Sequence, residues 1–403
     1  MSLLFQLSQP ECWEKYYEYK ISLAYPAKDA GELRGFIDAE AYLPAAERIR
    51  DGGAFPLPMK KVLQKQGTEK KRTVYIFPEN ENRVLKLLTY LLIRKYDGLF
   101  TDNLYSFRAG RSAKDAVKYL RRLPGIGGMY SYKTDISNYF NSIPLDRFLP
   151  ILEKALADDP ELFSFLSRLL LEERVLSDGK EIREEKGIMA GCPLASFFAN
   201  LYLRELDMFF WARQIPYARY SDDIILFTPS REEAEAGAAE IRKFLEGRGL
   251  TVNPDKEAVH GPEEGFVFLG FIWRKGVTDI APASVVKLKK KMRRKARSLL
   301  RWRLRNGVEG EKAAKAFIRI FNRKLLESSC DRDLCWSGWF FSMINTTESL
   351  HEIDLYAQDC LRYLVSGSRT KSRYLVRYEN LKRLGYRSLV HEYYAGEKLR
   401  PAE

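Results

Sequence analysis

Two adjacent aspartates, Asp222 and Asp223, lie in the segment RYSDDIILF and are the side chains of this sequence best suited to chemistry. They stand between Tyr220, where a strand starts, and the apolar run Ile224 to Phe227, which predicts a buried strand. A two-residue turn between two strands would hold both carboxylates at its tip. Carboxylates beside a buried strand are costly unless their charge is compensated, and oxygen ligands suit Mg²⁺. A metal site is therefore one interpretation, and a solvated hairpin tip is the other.

A third acid, Asp135, lies upstream in YSYKTDISNYFNSIP. The alternation of Tyr130, Tyr132 and Ile136 predicts a strand with Asp135 near its end. A second strand carrying a carboxylate could bring it beside the aspartate pair, which gives three acids and room for two metal ions. Two such ions can activate the attacking oxygen and stabilise the leaving one in an in-line phosphoryl displacement. A purely structural aspartate is the alternative for Asp135.

Seven segments, in order along the chain, make this sequence resemble a reverse transcriptase. TDISNYFNSI is similar to the first palm motif, GIMAGCPLASFFANLYLRELD to the second, and RYSDDIILF to the third, the Tyr-x-Asp-Asp box. LTVNPDKEAV and FVFLGFIW resemble the fourth motif and the primer-grip hairpin, and KKRTVYIFPEN and LYSFRAGRSAKDAV resemble finger motifs. The resemblance implies an α+β right-hand polymerase fold, with fingers, a palm of antiparallel sheet plus helices, and a helical thumb.

The resemblance also implies roles for single residues. It makes Asp135, Asp222 and Asp223 the catalytic metal ligands, with the backbone carbonyl of Ile136 as a further ligand, for two Mg²⁺ ions that Mn²⁺ can replace. Phe140 takes the position of the steric gate, where an aromatic ring would clash with a ribose 2′-OH and favour deoxynucleotides. Core packing is the alternative for Phe140.

The other implied nucleotide contacts lie in the fingers and around the second and fourth motifs. Arg72, with Lys65 or Lys71, would hold the incoming triphosphate, and a planar guanidinium suits phosphate oxygens. Lys256 would donate a proton to pyrophosphate, and Gly191 would let backbone approach the nucleotide. The predicted nucleotide-binding residues are Lys65, Lys71, Arg72, Phe140, Ala190, Gly191 and Lys256.

The charge balance predicts a polyanionic partner, because the chain of 403 residues has 67 Lys and Arg against 54 Asp and Glu, a net charge of +13. Cations concentrate in SVVKLKKKMRRKARSLLRWRLR, where apolar residues recur at helical spacing, at Val285, Leu288, Met292, Ala296 and Leu299. Ile280-Ala281-Pro282, just before this segment, resembles the entry to the thumb of group II intron-type enzymes. The resemblance therefore implies a thumb helix that follows the phosphates of a template–primer duplex, with salt-sensitive affinity. A solvated basic helix is the alternative. The predicted nucleic-acid contacts are Arg108, Lys287, Lys289, Lys290, Arg293, Arg294 and Arg297.

The sequence pattern, together with the resemblance, implies four parts. We expect a helical N-terminal extension over 1–59, fingers over 60–125 and 150–185, a palm over 126–149 and 186–280, and a helical thumb with a C-terminal extension over 281–403. The aromatic tail is expected to pack on the thumb, and stacking on RNA bases is the alternative. No signal peptide or long apolar span is evident, and the five cysteines form no paired ladder, so we expect a cytoplasmic protein with free thiols and no membrane association. Cys330 and Cys335 are close in sequence, but no histidine pair joins them, which argues against zinc.

Departures from the family pattern narrow the resemblance. Ala190 stands where many relatives have Gln, Cys192-Pro193 replaces a Gly-containing turn, and no retron-type insertion or C-terminal nuclease pattern occurs. The sequence is therefore most similar to the unknown-group bacterial reverse transcriptases, type 2-like, several of which act in defence and copy a partner noncoding RNA. The implied partners are a structured noncoding RNA template, an RNA–DNA duplex product and dNTPs, with the oligomeric state open. The alternatives are a group II intron-encoded reverse transcriptase and maturase without endonuclease, or a non-catalytic RNA-binding maturase-like protein.

Overall fold

A computed structural model describes residues 2–23, 25–64, 71–327, 336–370 and 372–397. Contacts divide the chain into two compact units, Met1–Gly261 and Pro262–Glu403. Both units combine helices with sheets whose strands are almost all antiparallel, so the predicted α+β class is confirmed. The finer division into fingers, palm and thumb stays a prediction.

The first unit contains twelve α-helices and eight strands among its described residues. The helices are α1 (Leu3–Gln6), α2 (Pro10–Ser22), α3 (Ala27–Asp38), α4 (Leu43–Arg50), α5 (Glu79–Lys95), α6 (Ala113–Arg122), α7 (Tyr139–Ser142), α8 (Leu145–Ala155), α9 (Pro160–Leu171), α10 (Ala195–Tyr202), α11 (Arg204–Ala212) and α12 (Arg231–Gly247). The strands are β1 (Met59–Gln64), β2 (Lys71–Ile76), β3 (Tyr130–Asp135), β4 (Arg174–Ser177), β5 (Lys180–Arg183), β6 (Tyr217–Tyr220), β7 (Asp223–Thr228) and β8 (Ala258–His260).

A four-stranded antiparallel sheet with the order β6-β7-β3-β8 lies at the centre of the first unit. The apolar residues Ile224 to Phe227 of β7 are all buried, as their uninterrupted apolar run predicts. Helix α12 packs on β3 and β7 and begins at Ser230, whose hydroxyl accepts the N–H of Glu233 at 3.2 Å. The sheet therefore holds the acid-bearing ends of β3 and β7 on a rigid, buried base.

A second four-stranded sheet has the order β2-β1-β4-β5. The strands pair antiparallel except at Met59 and Leu176, where β1 meets β4 in parallel. The sequence predicted a mainly helical segment over 150–185 that closes with a turn at SDGK, and the structure places that turn between β4 and β5 of a hairpin. The hairpin closes on the two-residue turn Asp178-Gly179, where both residues have positive φ, so the helical prediction for these residues was wrong although the turn itself is a local hairpin signal.

The second unit is a three-stranded sheet and a group of helices. The strands are β9 (Phe266–Phe268), β10 (Phe271–Arg274) and β11 (Val277–Ile280), in the order β11-β10-β9. The helices are α13 (Pro282–Arg305), α14 (Gly310–Leu325), α15 (Trp336–Phe341), α16 (Glu348–Ser366), α17 (Ser372–Leu375), α18 (Tyr378–Arg383) and α19 (Leu389–Glu397). Helices α13, α14 and α16 pack on one another.

The amphipathic pattern of α13 is confirmed residue by residue. Its buried residues are Val285, Leu288, Met292, Ala296 and Leu299, the five that the helical spacing selected. Pro282 begins the helix, where its fixed φ is suitable and its missing N–H costs nothing. In the tail, Phe340, Phe341 and Tyr393 are buried, which agrees with the expected packing role.

Two further sequence expectations concern the membrane and the thiols. Across the described part of the chain, no helix is both long and apolar enough to cross a membrane. Cys12, Cys192 and Cys360 are free cysteines. Cys330 and Cys335 lie outside the described residues.

Candidate active site

The pairing of β3 with β7 brings the three predicted acids to one end of the central sheet. Asp135 is directly opposite Asp223 in the antiparallel register, and the N–H of Ile136 donates to the carbonyl of Asp222 at 3.2 Å. On the other side, the N–H of Asn253 donates to the carbonyl of Asp135 at 2.7 Å. Backbone hydrogen bonds thus fix both acid-bearing segments. The turn itself consists of Ser221 and Asp222, and Asp223 is the first residue of β7 rather than part of the turn.

The turn at Ser221 is held by side chains from distant parts of the chain. Ser221 has φ +60°, a left-handed conformation that non-glycine residues seldom adopt. Its N–H donates to the hydroxyl of Ser106 at 2.8 Å, and its carbonyl accepts Nη1 of Arg219 at 3.1 Å. Ser106 in turn donates to Oδ1 of Asn200 at 3.2 Å. These contacts stabilise a strained conformation at the residue before the aspartate pair.

A buried ion pair anchors Arg219. Its Nε lies 2.8 Å from Oδ1 of Asp207 and its Nη2 lies 2.5 Å from Oδ2, a bidentate arrangement. Both side chains are almost completely buried, and the hydroxyl of Tyr217 donates to Oδ1 of Asp207 at 3.0 Å. Burial acts to lower the pKa of Arg219, but the charge of Asp207 raises it overall, so the guanidinium stays charged. Removing one partner of such a pair costs about 3–5 kcal/mol, because the other is left buried and uncompensated.

Burial perturbs the carboxyl groups of the aspartate pair. It raises the pKa of Asp223 to about 6, although the neighbouring Lys133 opposes the shift. The pKa of Asp222 is also raised, first by burial and then by the charge of Asp135. Nζ of Lys133 lies 3.3 Å from Oδ1 of Asp223, and Nζ of Lys256 lies 2.8 Å from Oδ2 of Asp135. The site therefore sets three carboxyl groups against two lysines, and a bound cation would compensate the remaining negative charge.

The carboxylate oxygens of this site are ligands of the kind that a divalent cation prefers. Among the described residues, no group of three or more His, Cys, Asp or Glu side chains is already arranged to hold a metal ion. Oδ1 of Asp223 is nevertheless buried, and Nζ of Lys133 lies 3.3 Å from it as an ion-pair partner. A buried carboxylate oxygen in this state is a ready ligand for a hard cation. Asp135, Asp222 and Asp223 are the residues that would hold such a cation, which would compensate their charge.

Phe140, the predicted gate residue, is half-buried on α7 and is held by its backbone. Its carbonyl accepts the N–H of Ile188 at 2.9 Å. Gly187 has φ +52°, and a Cβ there would lie 2.6 Å from the same carbonyl, so only glycine fits. The guanidinium carbon of Arg72 lies 5.9 Å from the centre of the Phe140 ring, and the charge of Arg72 acts to lower the pKa of Asp222. The predicted gate and the predicted triphosphate contact therefore lie beside the acids.

Backbone hydrogen bonds join the second-motif turn to β2. The N–H of Tyr75 donates to the carbonyl of Ala190 at 2.7 Å. Asn141 accepts the N–H of Ala190 at 2.8 Å and donates to the carbonyl of Thr73 at 3.2 Å. Gly191 follows with φ +99°, and a Cβ there would lie 3.1 Å from the Tyr75 carbonyl. A side chain at this position would crowd the Tyr75 carbonyl, which explains why the residue is glycine.

Cys192 closes the same turn, with its N–H donating to the carbonyl of Met189 at 3.0 Å. Its side chain is buried, and burial raises the pKa of the thiol to about 12. The thiol is therefore protonated and enclosed.

The remaining predicted contacts are spread over the molecule. Lys65 lies outside the described residues, and Lys71 is exposed at the start of β2. The guanidinium of Arg108 is bidentate to Asp97 at 2.9 Å for both bonds and also donates to the Thr101 carbonyl, which supports a structural role; its contact with nucleic acid stays a prediction. Lys289 forms an ion pair with Glu352. The exposed predicted contacts on α13 are Lys287, Lys290, Arg293, Arg294 and Arg297.

Several supporting residues were missed by the sequence reasoning. Lys133 stands two residues before Asp135, on the same face of the strand, and that spacing could have identified it. Arg219 is a charged residue in an apolar strand, which is also a signal. Ser106, Asn141 and Asp207 carry no local pattern, because their partners lie far along the chain.

Comparison with known proteins gives the class of this molecule. Residues 63–273, more than half of the chain, match the family described as reverse transcriptase (RNA-dependent DNA polymerase). The chain therefore belongs to the reverse transcriptase family, which agrees with the predicted right-hand polymerase fold and implies a general dependence on divalent metal ions.

Individual relatives are distant. The chain is 25% identical over 188 residues to the group II intron-encoded protein LtrA of Lactococcus lactis subsp. cremoris, an alignment that covers 46% of this chain and 31% of that protein. The chain thus spans about a third of the length of this curated relative.

Two solved telomerases are also similar at low levels. Telomerase from Candida albicans in complex with a TWJ fragment of telomeric RNA gives a TM-score of 0.43 at 12% identity, covering 87% of this chain and 67% of that one. Apo telomerase from Candida tropicalis gives a TM-score of 0.47 at 12% identity, covering 82% and 69%. These values are too low to add to the family assignment.

Proposed function

We propose that this protein is an RNA-templated DNA polymerase that uses two-metal phosphoryl transfer. The observation that carries the proposal is the register of β3 and β7, which sets Asp135 opposite Asp223 and beside the Asp222 turn in a chain of the reverse transcriptase family. Two divalent cations held there, Mg²⁺ or Mn²⁺, would activate the attacking 3′-oxygen and stabilise the leaving pyrophosphate.

The side chains around the acids have distinct tasks in this proposal. Asp135, Asp222 and Asp223 hold the cations, with the Ile136 carbonyl as a further ligand. Lys256 would supply a positive charge and a proton to pyrophosphate; its ion pair with Asp135 raises its pKa in spite of burial, which keeps it protonated before the transfer. Arg72 and Lys71 would bind the triphosphate, and the ring of Phe140 would exclude a 2′-OH.

The direct test replaces the acids. Asp222→Ala or Asp223→Ala should abolish dNTP incorporation on a primed RNA template, while RNA binding stays within about twofold, since these side chains bind metal rather than RNA. Asp38→Ala, which removes an exposed acid on α3, is the matched control and should keep full activity. Activity should also disappear with a chelator and return with Mg²⁺ or Mn²⁺. Incorporation by the double alanine variant would overturn the proposal and favour the non-catalytic maturase-like alternative.

We further propose that the template is one dedicated, structured noncoding RNA, copied in antiphage defence. The net charge of +13 and the exposed cations of α13 support an RNA partner. The defence role rests on the resemblance to type 2-like unknown-group enzymes. Sequencing of RNA and cDNA crosslinked to the protein in cells should give one dominant RNA, encoded beside this gene. A diffuse profile over bulk transcripts would contradict a dedicated template.

A second candidate function is that of a group II intron-encoded reverse transcriptase and maturase without endonuclease. The similarity to LtrA, itself a group II intron-encoded protein, favours it. The same sequencing experiment separates the two candidates. Recovery of a flanking intron with splice junctions would favour the intron role, and an unspliced neighbouring RNA would favour defence.

A further inference from the structure

Two adjoining cavities lie in the second unit, along α13 and α16. The first has a volume of about 430 Å³ and is lined by Tyr356, Tyr363 and Tyr374 together with arginines. The second has a volume of about 570 Å³ and is lined mainly by cations of α13. The cavities share Arg293, Arg297 and Tyr363, so they form one continuous surface, which we call the Tyr/Arg trough. Both volumes fall in the range of roughly 300–1,000 Å³ that ligand sites span.

The first cavity offers aromatic faces. Tyr356 and Tyr363 project from α16 and are half-buried, whereas Tyr374 on α17 is 87% exposed. The guanidinium of Arg369 lies 5.0 Å from the centre of the Tyr363 ring, which fixes that ring from one side. The Tyr374 ring is exposed at the edge of the cavity. Stacking on a flat ligand would remove part of its apolar surface from water, which is favourable.

The whole trough is strongly cationic. Its described lining contains six cations, Lys290, Arg293, Arg294, Arg297, Arg301 and Arg369, against one acid, Asp359. Asp359 is already engaged, with Nη1 of Arg362 at 3.2 Å from its Oδ1. Burial raises the pKa of Tyr356, and Arg293, Arg369 and Arg297 each oppose that shift, so three guanidinium charges act on one point of the first cavity. An anion entering the trough meets little competition from protein carboxylates.

Aromatic faces next to a row of cations fit a single-stranded nucleotide rather than a duplex. Bases inside a duplex are stacked on each other and cannot present a face to a concave cavity. An unpaired base can stack on tyrosine while the adjoining phosphates contact arginine. An acidic peptide would use the cations but would leave three aromatic faces without a flat partner.

We propose that the Tyr/Arg trough binds an unpaired nucleotide of the partner RNA, with its base between Tyr356, Tyr363 and Tyr374 and the neighbouring phosphates on the cations of α13. This inference rests on the proposed function only in taking RNA as the partner. It adds base stacking to the phosphate contacts already predicted for α13. The second unit would then recognise bulges or junctions in the RNA.

The test compares two RNAs that differ by one residue. One is a fully paired duplex, and the other is the same duplex with a single bulged nucleotide that carries a fluorescent adenine analogue. The intact protein should bind the bulged RNA about tenfold more tightly, and the analogue should be quenched as it stacks. Tyr363→Leu should remove most of this preference, whereas Tyr363→Phe should retain it because the ring remains.

Controls separate stacking from charge and from folding. Replacing Lys312, Lys315 and Arg319, exposed cations of α14, by Gln should weaken the binding of both RNAs equally and leave the preference for the bulged RNA intact. The melting temperature of each variant shows whether it is folded. Tyr356→Leu is the second variant if Tyr363→Leu fails to fold.

Three outcomes would overturn the inference. They are equal affinity of the intact protein for both RNAs, a preference that survives loss of the Tyr363 ring, and displacement of the bulged RNA by polyglutamate at matching concentrations. Primer extension by the intact protein is measured in parallel. Extension without bulge preference defeats this inference alone, whereas no extension defeats the proposed polymerase function.

Discussion

The carboxyl of Asp223 links the candidate active site to the stability of the fold. Its pKa is raised to about 6 by burial, against about 3.9 for an unperturbed aspartate. The folded protein therefore binds the proton more tightly than the unfolded chain does between these values. Stability falls as the pH rises through this window, and above it the ionised carboxylate destabilises the folded state.

Asp223→Asn should therefore stabilise the protein in the presence of a chelator. We expect the free energy of unfolding to increase by about 1–3 kcal/mol near pH 8, with the gain shrinking toward zero near pH 4. Denaturant unfolding across this pH range measures it. Asp38→Asn, at an exposed acid, should show no comparable pH-dependent gain. An Asp223→Asn gain that is the same at every pH would contradict the assignment of the shift to this carboxyl.

Phe140 is the residue on which sugar selection is predicted to depend. Phe140→Val should raise ribonucleotide incorporation relative to deoxynucleotide by roughly ten- to a hundredfold, because a smaller side chain leaves room for the 2′-OH. Single-nucleotide extension with matched dNTP and rNTP measures the ratio. Phe209→Val, at a half-buried aromatic of α11, should leave the ratio unchanged. If the Phe140 variant also keeps its ratio, this ring has only a packing role.

At the level of the elements, the turn between β6 and β7 depends on partners outside the hairpin. Arg219 bridges the Ser221 carbonyl and the Asp207 carboxylate, and the hydroxyl of Ser106 accepts a hydrogen bond from the N–H of Ser221. Arg219 is thus a positioning residue for the aspartate pair rather than a catalytic one. A lysine cannot reproduce its bidentate geometry.

Arg219→Lys should lower both stability and metal binding. We expect a loss of about 2–4 kcal/mol in the free energy of unfolding, since the pair with Asp207 is buried. The Mg²⁺ concentration for half-maximal activity should rise about tenfold, because the turn no longer fixes Asp222 and Asp223. Arg231→Lys, in an exposed pair with Glu235, is the control and should change neither quantity. A loss of stability with an unchanged Mg²⁺ requirement would show that Arg219 acts on the fold alone.

The elements show where sequence reasoning succeeds. The spacing of apolar residues on α13 predicted its five buried positions, and the alternation before Asp135 predicted β3. Both patterns are local, so the chain itself displays them. The contacts of Ser106 with Ser221 and of Asn141 with Thr73 span 115 and 68 residues, and no periodicity reveals them. The hairpin of β4 and β5 was missed for another reason: its Asp178-Gly179 turn is a local signal, but strands of four residues show too few alternations to stand out from the helices before them.

For the whole molecule, the excess of Lys and Arg over Asp and Glu favours the binding of a polyanionic partner. The exposed residues Lys290, Arg293 and Arg294 lie together on α13, whereas Lys289 is paired with Glu352. The structure therefore distinguishes cations that are free to meet phosphate from one that is already engaged, a distinction that the sequence does not make.

Replacing Lys290, Arg293 and Arg294 together by Gln should weaken binding to all RNAs and flatten the salt dependence. Each lost phosphate contact should reduce the slope of log K against log salt by about 0.7–0.9. Filter binding at several salt concentrations measures the slope. Lys289→Gln should change the slope less than the replacement of any one of these three cations by Gln does. An unchanged slope in the triple variant would remove α13 from the RNA-binding surface.

The enclosed thiol of Cys192 offers a way to time local opening. Alkylating reagents attack the thiolate, and this thiol is both buried and held protonated at neutral pH. Labelling at Cys192 must therefore wait until the second-motif turn opens locally, so the labelling rate reports how often that turn opens. A nucleotide bound against this turn should slow the labelling, which makes a single sulfur atom a reporter of substrate binding that requires no turnover.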